Sequence, residues 1–203
     1  MAHSKMWSSA GLFLLFFSVS QQAQGAWSLF ELYCNVNGTT QSKVNTFGGP
    51  AGCSTGWNFA GYDTTTGLGT IIYTTSNVGA NNALLFFNVD YLVDATGNNA
   101  FDETGGITGT AAAGQLFEID DSEVSPLSLG SGNIFTNFMN GTPDGLAFKN
   151  GPTDSFNPTD VAALMGWNFN LAAGDTATIT WTVATTNPGG FYLSQFDATD
   201  DQT

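Results

Sequence analysis

The side chains that could do chemistry in this chain are nearly all carboxylates. Asp197, Asp200 and Asp201 cluster close to the C-terminal end, and Glu118, Asp120, Asp121 and Glu123 form a second group. Oxygen-rich loops suit calcium, which takes about six to eight oxygen ligands. Asp197, Asp200 and Asp201 are the calcium candidates, and the plainer alternative for both groups is a solvated acidic turn. Paired carboxylates could also hydrolyse a glycosidic bond, one as general acid and one as base or nucleophile. The glutamates are Glu31, Glu103, Glu118 and Glu123, and none sits in a recognisable motif.

What is missing narrows the chemistry further. The chain has no Arg, and its one histidine is His3. Beyond that position no imidazole is present to act as a base or to bind zinc or copper. A Ser-His-Asp or Cys-His mechanism therefore cannot be assembled. Nor is there a guanidinium fork to clamp a phosphate or a carboxylate substrate. The expectation is a protein that is not an enzyme and carries no cofactor.

Aromatic rings offer a different kind of site. Trp27, Trp57, Trp167 and Trp181, with Tyr33, Tyr62 and Tyr73, could include a platform on which sugar rings stack. Trp167 and Trp181 alternate with polar residues in a way that assigns them to a core. Trp57 and Tyr62 lie in a turn-rich stretch and are the glycan-binding candidates. Asn37-Gly38-Thr39 and Asn140-Gly141-Thr142 match glycosylation sequons, but in this setting they read as turns.

The start of the chain looks like an address rather than a fold. Lys5 and the amino terminus are positive, Leu12 to Val19 is an apolar run, and Ala23-Gln24-Gly25 offers small residues for a signal peptidase. Residues 1–25 are expected to be a cleaved secretory signal peptide, with no membrane insertion afterwards, and residues 26–203 a single domain. All 17 acidic residues follow the leader, against only Lys43 and Lys149. Such a surface repels phosphates, so nucleic acid is not an expected partner. Charged residues are only 10% of the chain, far below the usual ~25%, leaving solubility to Thr, Asn, Ser and Gly. Cys34 and Cys53 are the only cysteines, and in an exported chain their default state is a disulfide. Two buried free thiols are the competing state.

These groups need a scaffold, and its signal is period-two alternation. In 176–185, Ala177, Ile179, Trp181 and Val183 alternate with threonines, which predicts a strand with one buried and one wet face. Met165, Trp167, Phe169 and Leu171 alternate before it, and Ala-Ala-Gly-Asp makes the turn of a hairpin. Phe191 to Phe196 supplies a third strand. Upstream, Leu84 to Val93 is the strongest central strand, with a second face that is only partly buried. Residues 94–114 read as a long polar loop, and Ile134, Phe135, Phe138 and Met139 recur at helical spacing. The predicted fold is all-β, an antiparallel, jelly-roll-like β-sandwich with at most one short helix, a β-barrel being the alternative.

The stretch GWNFNLAAGDTATITWTV at 166–183, followed by GGFYLSQFDATD at 189–200, resembles exported bacterial proteins that end in a PEP-CTERM sorting tail. LLFFNVDYLVD and AAAGQLFEID fit the same pattern, so the resemblance covers roughly residues 84–200. It implies export from a Gram-negative cell and sorting to the outer surface or the exopolysaccharide matrix. No catalytic residue comes with it. The Pro-Glu-Pro signal, apolar helix and basic end of such tails are not in this sequence, and the expectation is a truncated chain, release in place of sorting being the alternative. The functional expectation is thus a secreted or cell-surface, non-enzymatic matrix protein, with exopolysaccharide or other surface proteins as partners. A carbohydrate-binding module for exopolysaccharide is the first alternative, and a carboxylate-dependent glycosidase the second.

Overall fold

The computed structural model describes residues 13–18, 26–45, 52–53, 55–92, 103–121, 134–145 and 161–197. They form an all-β sandwich with one short helix, as the alternation predicts. One sheet contains β2 (Ala26–Val36), β3 (Thr39–Asn45), β6 (Gly79–Leu92), β8 (Gln115–Asp121) and β9 (Val161–Leu171), in the order β3-β2-β6-β9-β8. The other contains β1 (Phe13–Ser18), β4 (Trp57–Asp63), β5 (Leu68–Thr75), β7 (Glu103–Thr108), β10 (Ala177–Ala184) and β11 (Tyr192–Asp197), in the order β4-β5-β10-β1-β11-β7.

The main core lies between the sheets and is built from the inward positions of both. Leu85, Phe87, Ile119, Ala163, Met165 and Trp167 meet Ile71, Tyr73, Ile179, Trp181, Val183 and Leu193 there. Two polar groups tie the layers through it. The Trp181 indole Nε1 donates to the Met165 carbonyl at 3.3 Å, and the buried Gln195 amide donates to the Val89 carbonyl at 2.8 Å. Each satisfies a buried carbonyl that water cannot reach.

The second face of β6 is more deeply buried than its sequence suggests. Leu84 and Phe86 are fully buried, and so are Ala162 and Leu164 on β9. Helix α1 (Ile134–Asn140) covers them with Ile134 and Phe138, making a second apolar cluster that includes Tyr33. The helix ends at Gly141 with a pair of bonds, Gly141 N–H to the Phe138 carbonyl at 3.1 Å and Thr142 N–H to the Asn137 carbonyl at 2.9 Å. This is the double closure that a glycine with positive φ permits. The second sequon is therefore a helix stop.

The first sequon is a hairpin turn. Asn37 and Gly38 have φ of 51° and 81° and join β2 to β3, the signs that a two-residue turn needs to match strand twist. Asn35, fully buried one turn earlier, accepts from Gly38 N–H at 2.9 Å and donates to the carbonyls of Phe138 and Met139 at 2.7 and 3.1 Å. One side chain thus fixes both the turn and the C-terminal end of the helix. The disulfide between Cys34 and Cys53 is formed, with Cα atoms 5.7 Å apart, and it pins β2 to the segment leading into β4.

Three expectations need correction. The polar stretch 94–114 contains a strand, β7, which pairs antiparallel with β11 from Glu103↔Asp197 to Thr108↔Tyr192. Two adjacent glycines lower its strand propensity, so the partner strand supplies what the local sequence does not. Thr180 is not on a wet surface but only 8% exposed, because β10 sits inside its sheet with β5 on one side and β1 on the other. Finally, residues 172–175 do not close a hairpin. Strand β9 pairs with β6 and β8 in one sheet and β10 with β5 and β1 in the other, so the apolar faces of the two strands meet across the core instead of lying side by side. Phe13–Ser18 pairs in parallel with both β10 and β11. Residues 1–12 and 19–25 lie outside the described residues.

Candidate functional site

The most unusual polar constellation sits where β8 passes beneath α1. Along β8, period two turns Phe117 and Ile119 toward the main core and places Glu118 and Asp120 on the helix side. Glu118 is 1% exposed and Asp120 8%, so the solvated-turn alternative does not hold for these two. The Asn137 side-chain amide donates to both Glu118 oxygens at 2.9 and 3.0 Å, and the Asp144 N–H donates to Oε2 at 3.1 Å. Burial pushes the Glu118 carboxyl up to about 7. The hydrogen bonds from Asn137 and Asp144 oppose that rise, and the neighbouring charges of Asp144 and Asp120 reinforce it.

A carboxyl poised near neutrality could in principle give or take a proton. Here its oxygens accept from Asn137 on α1 and from Asp144 N–H in the segment after it, so the carboxyl ties the helix to β8. Sequence reasoning grouped Glu118 with its acidic neighbours and missed its burial. The signal that could have found it is Leu116, Glu118 and Asp120 falling on one side of a strand whose other side is apolar. Among the described residues no group of three or more His, Cys, Asp or Glu is placed to hold a metal ion. Of the calcium candidates, Asp197 ends β11, while Asp200 and Asp201 lie outside the described residues, as does Glu123.

The glycan-binding candidates are not presented as a platform. Tyr62 is 8% exposed and belongs to the main core, and burial, then the Asp63 charge, pushes its hydroxyl far up. Trp57 is half-buried, stacked on Trp181 at 5.1 Å and on Phe59 at 6.2 Å and tilted against Tyr73 at 4.8 Å. Trp57 Nε1 and the Tyr62 hydroxyl are buried without a hydrogen-bond partner among the described residues. Both rings extend the core under the edge strand β4, where the turn-rich sequence around them suggested freedom.

No helix among the described residues is long and apolar enough to cross a membrane. Comparison with protein-family models, with curated proteins and with solved structures returns no match.

Proposed function

We propose that this is an exported, non-enzymatic β-sandwich protein of the bacterial cell surface or extracellular matrix. The observation that carries the proposal is the Cys34–Cys53 disulfide, since such bonds form and persist in oxidising compartments. An apolar N-terminal run followed by small residues, and the scarcity of charge, support the same location. The described ionisable groups support a structural role, because Glu118 is held by a helix amide and a backbone N–H.

The test is fractionation of a Gram-negative cell expressing the full chain. The protein is expected in the periplasm, on the surface or in the medium. Accumulation as a soluble cytoplasmic protein would overturn the proposal.

A further inference from the structure

We infer that the sheet position between β10 and β11, held here by Phe13–Ser18, is an acceptor slot for an extended segment of a partner polypeptide, entering antiparallel to both walls after the leader is removed. The inference rests on the export reading, because cleavage before Ala26 would take β1 away.

The topology makes the slot. β10 and β11 are not paired with each other; β1 stands between them, in register with β10 from Phe13↔Ile179 to Ser18↔Ala184 and with β11 from Phe16↔Tyr192 to Ser18↔Ser194. Removing it leaves the facing backbone groups of both walls without their ladder partners. Rows of this kind are templates for another strand. The stakes extend beyond the walls, since among the described strands β7 and β11 join their sheet only through β1.

The direction of pairing favours an occupant other than Phe13–Ser18. Its two ladders are the only parallel ones among the described strands; the other seven pairings are antiparallel. Because β10 and β11 run the same way, a strand opposed to one is opposed to both. Such a strand would make the sheet uniformly antiparallel, which is the somewhat more stable arrangement per residue.

The walls define the occupant's chemistry. Positions level with Ile179, Trp181 and Val183 lie on the core face, where these residues are 2%, 1% and 5% exposed. Alternate residues of the occupant must therefore be apolar. The intervening positions lie level with Thr180 and Thr182 and tolerate small polar side chains. No charge is present along Ala177–Ala184 or from Tyr192 to Gln195, so the occupant is uncharged over this length. Among the described strands, the edges β3, β4, β7 and β8 of a second copy are each already paired on one side, so none of these four is the occupant.

The test uses a fluorescent synthetic peptide alternating Val and Thr, with lysines at both ends, and a control of the same composition in which the apolar residues no longer alternate. Each is titrated by anisotropy against the full chain, against full chains carrying Leu15→Pro or Leu15→Asp, and against the leader-free product recovered after export. Proline removes a ladder donor, and aspartate puts a charge at the register position paired with Trp181. The alternating peptide should bind the leader-free product, and whichever variant keeps a cooperative melt, at least about tenfold more tightly than the unaltered chain. It should also protect the amides of residues 179–184 and 192–194 from hydrogen exchange. Equal binding to all forms, equal binding of the control, or amides already protected in the leader-free product would overturn the slot. Self-association of that product through the same amides would overturn the assignment to a partner polypeptide. An exported product that keeps residues 1–25 would refute the export reading, while the two variants still decide the slot.

Discussion

Trp181 Nε1 and the Met165 carbonyl form a hydrogen bond of 3.3 Å that crosses the sandwich from one sheet to the other. Both residues are essentially buried, and both lie on apolar alternations that the sequence displays openly. The pair ties β10 to β9 across the core, and with them the packing of the two layers.

Trp181→Ala should therefore cost about 3–5 kcal/mol, the range for removing a large buried aromatic. Thr180→Ala, on the opposite face of the same strand, should cost about 1 kcal/mol, since Thr180 is buried but fills little volume. Urea melts of the two variants check this. Equal losses would mean that the strand register is wrong.

Gly166 faces the backbone of the neighbouring strand so closely that a Cβ there would collide with the Ala83 carbonyl and with Leu84. These are main-chain and fully buried atoms that cannot swing away. Gly166→Ala should destabilise by about 3 kcal/mol, the upper end of overpacking. A thermal melt within a degree or two of the parent would show that β6 and β9 are not in this contact.

Asn35 serves a hairpin and a helix end with one side chain. Asn35→Ala leaves the Phe138 and Met139 carbonyls without that donor, at a cost of about 1–3 kcal/mol. Hydrogen exchange should accelerate in α1 and in the 37–38 turn together. Acceleration at only one of them would break the proposed linkage.

Glu118 gives the protein a pH dependence with a definite sign. Its folded-state pKa is raised from 4.5 to about 7, so the folded protein holds a proton that the unfolded chain releases. The associated stability is fully present below about pH 4.5 and is lost as pH rises to about 7, on the order of 3 kcal/mol in total. Glu118→Gln removes the titration and should flatten the stability curve across that window, seen in urea melts at stepped pH. A variant whose curve still falls as steeply as the parent's would assign the dependence elsewhere.

The strands that could be read in advance are those whose alternation is local. Trp181 with Val183, Met165 with Trp167, and Leu85 with Phe87 each announce a buried face within a few residues. The disulfide followed from compartment and count, and Asn37-Gly38 from turn chemistry. What escaped depends on partners distant in sequence. Gly105 and Gly106 say nothing of β7 until β11 lies beside them. Thr180 is buried within the assembled sheet, and Tyr62 by joining the main core. Glu118 reads as a surface charge because the helix that covers it begins only at Ile134. No local pattern encodes a cover supplied from elsewhere in the chain.

The central claim is export into an oxidising compartment, and intact mass of the secreted protein, with and without reduction, tests it most directly. The account predicts a chain beginning at Ala26 and carrying the Cys34–Cys53 bond, so that alkylation adds mass only after reduction. A product that retains residues 1–25, or one whose two thiols alkylate without reduction, would contradict it.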